Sequence, residues 1–302
     1  MTMRVWVGLL LAGTIGAAAG ASGAPVCAAD FTVHENLAYA HVDGKPLELD
    51  LAVPSGPGPF PTLVFIHGGG WYQGNRQGYR DDIEQAAQRG FAAATITYRL
   101  MQFDMADKET TSAQPIFPAQ VHDCKAAIRW LRAHADKYHI DRQRFGVTGA
   151  SAGGHLSLMV GLTDAEDQLE GELGNSEHSS RVQAVVNVFG PTHMQSCQQT
   201  SSVGWIFRLF LGGTPAQAPE IYRRASPISY VTADDPPVLS LHGDQDQLVP
   251  IEQARVLDEK LRAVGATHRL KVFAGAGHGF SGETRTAADS AMWEFFEQHL
   301  QP

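Results

Sequence analysis

The chain has 302 residues, of which 43% are hydrophobic and 18% are charged, and its formal net charge at pH 7 is −9. This length and apolar content suit one large globular domain. An acidic chain without a run of basic residues is a poor candidate for binding nucleic acid or an anionic membrane surface.

The first 29 residues differ in kind from the rest of the chain. Arg4 is their one charged side chain, an apolar run extends to about Ala19, and small residues continue through Ala29. This order is typical of a secretory signal peptide. We therefore predict a signal peptide over residues 1–29, a mature domain over residues 30–302, a secreted or periplasmic location and no stable membrane association after cleavage. An uncleaved membrane anchor is the alternative, although the run is short for a spanning helix.

The hydrophobic pattern predicts strands that alternate with helices along most of the chain. Apolar and polar residues alternate over residues 47–53, as in a half-buried strand. Further strands are predicted at residues 63–66, 91–98, 144–148, 182–189, 238–242 and 268–273, and helices at residues 79–88, 117–137, 152–162, 252–264 and 287–300. This alternation indicates a mostly parallel sheet with helices on both faces.

Two stretches interrupt this rhythm. Residues 101–117 form an irregular excursion, and residues 190–237 form a longer one that contains several aromatic residues. Long connections inside a compact domain are often binding loops or lids. We expect a small insertion or lid between about residues 190 and 237; a helical insertion that only packs on the surface is the alternative.

A Gly-x-Ser-x-Gly pattern occurs at Gly149-Ala150-Ser151-Ala152-Gly153. It lies between the strand predicted at residues 144–148 and the helix predicted at residues 152–162. A tight strand-to-helix turn would project Ser151 above the positive end of that helix. The pattern predicts a nucleophilic serine, and a structural serine in a turn is the alternative.

A serine nucleophile needs a base, and the base needs an acid that orients it. In this strand-turn-helix setting the acid precedes the histidine along the chain. His278 is the one of thirteen histidines that lies in a glycine-rich loop after the last predicted strand. Asp244 and Asp246 both follow the strand that ends at His242, and their spacing alone does not separate them.

A glycine run, His67-Gly68-Gly69-Gly70-Trp71, follows the strand that ends at Ile66. Consecutive glycines let backbone amides approach a substrate closely, and such amides stabilise the oxyanion that forms when an ester is attacked. The amide of Ala152 would be a further donor. A phosphate-binding loop is disfavoured because the chain lacks Gly-x-x-x-x-Gly-Lys-Ser/Thr.

Neither a metal site nor a cofactor is indicated. The chain contains no His-Glu-x-x-His and no Cys-x-x-Cys, and serine chemistry requires no cofactor. Cys27 falls within the predicted signal segment. Export would permit a disulfide between Cys124 and Cys197, but Cys124 also lies on the apolar stripe of a predicted helix, as a buried small hydrophobic residue would. The sequence leaves both possibilities open.

Over residues 31–300 these features together resemble the α/β-hydrolase superfamily, and within it the bacterial feruloyl and acetyl-xylan esterase branch, the BD-FAE-like domain. The segments that carry the resemblance are His67-Gly68-Gly69-Gly70-Trp71, Phe117-Pro118-Ala119-Gln120, Asp123 through Leu131, Gly149 through Leu156, Gly190-Pro191-Thr192, His242 through Pro250 and Gly277-His278-Gly279-Phe280. Hormone-sensitive-lipase-like esterases share the glycine run. They usually have an acidic residue where this chain has Ala150, which favours the first branch.

The resemblance implies an α/β-hydrolase fold and assigns roles to particular residues. The family pattern Asp-x-x-Val-Pro selects Asp246 over Asp244 as the acid. The family's oxyanion donors correspond to Gly69, Gly70 and Ala152.

The resemblance also implies a substrate class. We expect cleavage of small acyl esters, either acetyl or feruloyl groups on plant polysaccharide or generic short-chain esters. Trp71, His67 and Trp205 are candidate substrate contacts, and plain packing is the alternative for the tryptophans. Two alternatives remain open at this point. One is an amide-directed hydrolase, a peptidase or formamidase, that uses the same three residues. The other is a non-catalytic binding module on the same fold.

Overall fold

The structure is a computed structural model that describes residues 30–104 and 113–301. The predicted signal segment, with Cys27, lies outside the described residues. The described part of the chain is built around one eight-stranded sheet in the order β1-β2-β4-β3-β5-β6-β7-β8. The strands are β1 (Phe31–Val42), β2 (Lys45–Pro54), β3 (Phe60–Ile66), β4 (Ala92–Ile96), β5 (Ile140–Ala150), β6 (Ala184–Val188), β7 (Val238–Gly243) and β8 (His268–Phe273).

The sheet is parallel from β4 to β8, and only the β1-β2 and β2-β4 pairs are antiparallel. The β1-β2 hairpin turns at Asp43-Gly44, where both residues have positive φ, as a tight two-residue hairpin turn requires. The mostly parallel sheet predicted from the alternating pattern is confirmed.

Helices cover both faces of the sheet. They are α1 (Arg80–Gln88), α2 (Ala119–Ala133), α3 (Ala152–Leu162), α4 (Met194–Thr200), α5 (Gly204–Phe210), α6 (Pro219–Arg224), α7 (Glu252–Val264) and α8 (Gly282–Leu300). Successive residues of β3 belong to different cores: Val64 packs with α2 and α3, whereas Phe65 packs with α1 and α8. A strand buried on both faces must be continuously apolar, which explains the Leu-Val-Phe-Ile run.

The predicted irregular stretch at residues 190–237 is a small helical insertion that contains α4, α5 and α6. Its apolar residues are buried; Phe207, Leu209 and Phe210 belong to the same core as α2 and α3. The expectation of an insertion at this place is therefore confirmed.

Some element ends differ from the predicted ends. Helix α8 begins at Gly282 instead of residue 287, and β5 begins at Ile140 instead of residue 144. In both cases the added residues are mostly polar and exposed or half-buried, so they give no hydrophobic signal. Helix α2 ends at Ala133, four residues before the predicted end.

Cys124 and Cys197 are both buried free thiols. Of the two possibilities that the sequence left open, the buried-hydrophobe interpretation holds, and the disulfide does not form. Burial raises the pKa of both thiols. Within the described ranges, no helix is long and apolar enough to cross a membrane.

Candidate active site

The turn between β5 and α3 consists of one residue, Ser151. Its φ of 58° and ψ of −120° lie in a sparsely populated region for a non-glycine residue. Such a conformation costs about 1–3 kcal/mol and persists only where the surroundings enforce it. Two backbone bonds do so here: the Ser151 amide donates to Val188 O over 2.9 Å, and Ser151 O accepts from His155 N over 3.0 Å.

The glycines on either side of Ser151 permit close packing of the turn against β3. A Cβ atom added to either Gly149 or Gly153 would overlap the carbonyl oxygen of Ile66. The spacing Gly-x-Ser-x-Gly therefore has a steric reason in this chain. Any side chain at these two places would push α3, and Ser151 with it, away from the sheet.

Three predicted side chains form a hydrogen-bonded series. His278 Nε2 lies 2.9 Å from Ser151 Oγ, and His278 Nδ1 lies 2.6 Å from Asp246 Oδ2. A carboxylate only accepts, so Nδ1 carries the proton and Nε2 is left to accept the Ser151 hydroxyl proton. The arrangement can therefore withdraw a proton from Ser151 as its oxygen attacks an electrophile.

The Asp246 carboxylate is held on both oxygens. Its Oδ1 accepts the amides of Leu248 and Val249, each over 2.9 Å. Burial by itself raises the pKa of Asp246, but hydrogen bonds from His242 and His278 and the Val249 amide outweigh it and bring the pKa well below its usual range. Asp246 is therefore ionised at neutral pH and oriented towards His278.

Asp244, the other candidate acid, makes a hydrogen bond to the backbone. Its Oδ1 accepts the Gly275 amide over 2.7 Å, which joins the turn after β7 to the loop that carries His278. The structure thus places Asp246 next to His278, whereas Asp244 stabilises the loop that carries His278.

The predicted glycine loop crosses directly over the serine turn. A Cβ on Gly68 would lie 2.6 Å from Ala150 O and 3.5 Å from the Ser151 Cβ. Gly69 has a φ of 109°, and its carbonyl accepts the Gln73 amide over 3.0 Å, which closes the loop on itself. Within the described residues, the amides of Gly69, Gly70 and Ala152 donate no backbone hydrogen bond. They are available to an oxyanion formed next to Ser151.

A cavity of about 320 Å³ opens beside Ser151. Gly69, Gly70 and Ala152 line it, together with His278. Its remaining wall is mainly apolar and includes Phe189, Pro191, Val203, Ile206, Phe207, Leu248 and Val249. The volume is near the lower end of the usual range for ligand pockets. The cavity therefore suits a small apolar group held next to Ser151.

Comparison with known families gives an assignment at this point. The BD-FAE family model matches residues 49–261, which is more than half of the chain. The chain belongs to the BD-FAE family. The matched range contains Ser151, Asp246 and the glycine loop but ends before His278, so the place of the histidine depends on the geometry described above.

The first three curated relatives of this BD-FAE chain are esterases or ester hydrolases by name, whereas two others are named as uncharacterized peptidases. Esterase LipC of Mycobacterium tuberculosis is 37% identical over 228 residues, which is 74% of this chain and 53% of the relative. The chain spans about half the length of the first curated relatives it matches.

Solved structures give a similar result over most of the chain. A truncated carbohydrate esterase from gut microbiota is 30% identical with a TM-score of 0.75, covering 90% of this chain and 96% of that one. A propionate-bound esterase, Est2 of Thermogutta terrifontis, is 26% identical with a TM-score of 0.72, covering 92% and 98%. The α/β-hydrolase fold expected from the sequence is thereby confirmed.

The three predicted substrate contacts have different places in the BD-FAE domain. Trp71 lines the cavity, but His67 and Trp205 are not among the described residues that line it. His67 is buried, stacks on Tyr98 with ring centroids 4.2 Å apart, and donates from Nδ1 to Gly68 O over 2.8 Å. His67 therefore stabilises the glycine loop through its bond to Gly68 O. Trp205 packs against Phe103 instead, with ring centroids 5.9 Å apart.

Two residues near the histidine were not singled out from the sequence. Phe189 packs on His278 with ring centroids 4.7 Å apart. His242 donates from Nε2 to Val249 O over 2.8 Å and lies 3.5 Å from Asp246 Oδ2. The one sequence feature that could have identified His242 is its position directly before Gly243-Asp244. A buried histidine or a packing phenylalanine belongs to no motif with a fixed spacing, so Phe189 could not be predicted.

A second, larger cavity of about 480 Å³ lies away from Ser151, near Arg129 and Glu170. The Arg129 guanidinium in its lining donates to Glu170 Oε2 over 3.0 Å and to the carbonyls of Glu170 and Leu173. No group of three or more His, Cys, Asp or Glu side chains within residues 30–104 and 113–301 could hold a metal ion.

Proposed function

We propose that this BD-FAE protein is a serine carboxylic-ester hydrolase that acts through an acyl-enzyme. The observation that carries the proposal is the series Ser151–His278–Asp246, bonded over 2.9 and 2.6 Å, which faces free loop amides across one apolar cavity. Acyl transfer needs a serine nucleophile, a histidine that accepts its proton and an ionised acid that fixes the histidine tautomer. Ser151, His278 and Asp246 meet these three requirements.

In the proposed reaction, His278 Nε2 removes the Ser151 hydroxyl proton while Oγ attacks the ester carbonyl carbon. The carbonyl oxygen becomes an oxyanion facing the amides of Gly69, Gly70 and Ala152. The intermediate collapses, the ester C–O bond breaks, and His278 gives its proton to the leaving alcohol. A water molecule then attacks the acyl-enzyme with His278 as base again, which releases the acid and restores Ser151.

The proposed substrates are short acyl esters, including acetyl or feruloyl esters of plant polysaccharide. The cavity of about 320 Å³ and its apolar wall, with Ile206 and Phe207, support a small acyl group. The likeness to a carbohydrate esterase over 90% of this chain supports a sugar as the alcohol. We also propose export, on the signal-like pattern of residues 1–29; the cellular fraction that contains the protein, with its N-terminal sequence, tests this.

A fluorophosphonate probe and a substrate panel test the proposed activity. We expect the purified wild-type protein to be labelled at Ser151 and to hydrolyse p-nitrophenyl acetate, methyl ferulate or acetylated xylan. Ser151→Ala should lose both properties, while Ser176→Ala, at an exposed serine outside the lining of the cavity beside Ser151, should keep them. Absence of labelling would favour a binding module, and faster cleavage of an aminoacyl p-nitroanilide than of every ester would favour an amide-directed enzyme.

A further inference from the structure

A second histidine lies close to the serine without a role in the reaction described above. His155 is on α3, one turn after Ser151, and it is fully buried. Both of its ring nitrogens have partners on other segments. Nδ1 lies 3.2 Å from the indole nitrogen of Trp71, and Nε2 lies 2.8 Å from Ala225 O in the insertion.

These partners fix the protonation state of His155. An indole N–H only donates, so Nδ1 must accept; a carbonyl only accepts, so Nε2 must carry the hydrogen. The imidazole is therefore neutral and in one tautomer. Burial lowers the pKa of His155 to about 4, against a smaller raising effect of the Ala225 carbonyl, so this state persists at neutral pH.

The indole that His155 holds belongs to the residue directly after Gly70. Trp71 is only 2% exposed and has a φ of 62°, which is unfavourable for a tryptophan and must be imposed by its surroundings. Its ring stacks on Phe210 with centroids 4.1 Å apart and an angle of 3°. Its carbonyl accepts the Met101 amide over 2.9 Å. Trp71 is thus the fixed end of the glycine loop.

We propose that His155 is a positioning residue: by accepting the Trp71 indole N–H, it holds the glycine-loop amides in register with Ser151. The inference rests on the proposed ester hydrolysis. Ser151 lies at the start of α3, and His155, which binds Trp71, lies one turn later on the same helix. This one helix therefore sets the distance between Ser151 Oγ and the amides of the glycine loop. A misplacement of about 1 Å at such a site is enough to slow a reaction by about 10²-fold.

Three substitutions separate the two hydrogen bonds of His155. His155→Asn places an amide oxygen near the position of Nδ1 and retains the acceptor for Trp71. His155→Gln places its amide near the position of Nε2, so it retains the donor to Ala225 and loses the acceptor. Trp71→Phe retains an aromatic ring on Phe210 but removes the N–H together with the rest of the pyrrole ring.

We expect His155→Gln and Trp71→Phe to lower kcat on p-nitrophenyl acetate about 10- to 100-fold, part of the 10²–10³-fold effect of removing an oxyanion donor outright. KM should stay within about twofold, and His155→Asn should stay within about threefold of the wild-type kcat. Because both slow variants break the same bond, the double variant should be no slower than the slower single variant.

The measurements are KM, the kcat per site labelled to completion by a fluorophosphonate probe, and the melting temperature. Labelling corrects for any unfolded fraction. The inference is overturned if kcat per labelled site is unchanged in His155→Gln and Trp71→Phe while the melting temperature falls, or if His155→Asn is as slow as His155→Gln. If the wild type neither reacts with the probe nor turns over ester, the proposed function fails and this inference fails with it.

Discussion

Acid should destabilise the folded protein through His155. In the unfolded chain this histidine has a pKa of about 6.5, whereas burial lowers it to about 4 in the folded protein. Between these values the unfolded state binds more protons than the folded state, so the free energy of unfolding falls as the pH falls. The stability is fully present above about pH 6.5 and is lost progressively as the pH decreases through 4.

The size of the effect follows from the two pKa values. Linkage of one group with pKa values of about 6.5 and about 4 removes about 2 kcal/mol of unfolding free energy at pH 5 and about 3 kcal/mol at pH 4. At pH 7 the same group removes only about 0.2 kcal/mol. Since a domain is typically stable by about 5–15 kcal/mol, this one side chain is a substantial part of its acid sensitivity.

Denaturant unfolding of the wild type and His155→Asn at pH 7 and pH 5 tests this reasoning. Asparagine does not titrate, so the variant should lose about 2 kcal/mol less than the wild type between the two pH values. His41→Asn, at an exposed histidine on β1, controls for the removal of an imidazole as such. Equal losses in the wild type and His155→Asn would refute the account of a buried neutral imidazole.

Two further predictions concern the acid and the cavity wall. Asp246→Asn should lower kcat about 10⁴-fold, because the amide no longer fixes the tautomer of His278, whereas Asp244→Asn should stay within about threefold; ester hydrolysis at pH 8 measures both, and similar losses would contradict the division of roles. Ile206→Ala should enlarge the cavity and raise the octanoate-to-acetate ratio of kcat/KM for p-nitrophenyl esters at least about fivefold. Ile221→Ala, on α6 and outside the cavity lining, should leave that ratio unchanged.

The sequence predicted the serine turn and the histidine loop because glycines mark both. Gly149 and Gly153 are needed for close packing on β3, and Gly275 and Gly279 have positive φ. The acid was different. Asp244 and Asp246 occupy one short turn, and only the family pattern favoured Asp246. The physical reason is the fold of that turn, in which the Leu248 and Val249 amides bind Asp246 Oδ1 and direct Oδ2 at the histidine. Spacing along the chain does not encode that direction.

Aromatic residues near the site were the least predictable part. Trp71, His67 and Trp205 had equal standing as substrate contacts, but only Trp71 lines the cavity. Whether an aromatic ring faces a cavity or a neighbouring ring depends on backbone angles, such as the positive φ of Trp71. These angles result from the packing of distant segments, here Phe210 of the insertion, and hydrophobic periodicity contains no information about them.

The position of α3 is the reason that we expect chemistry and specificity to be separable in the proposed ester hydrolase. All of its residues except Gly161 are buried, and a helix that is buried on every side has its place fixed by packing on every side. Ser151, directly before the helix, and His155, one turn later, are therefore held in fixed positions. Ile206 and Phe207, in contrast, reach the cavity from the seven-residue helix α5, whose Phe210 stacks on Trp71. Within α5, Ile206 lines the cavity, whereas Phe210 holds Trp71 at the end of the glycine loop. We therefore expect Ile206→Ala to reshape the acyl wall and change chain-length preference without abolishing turnover.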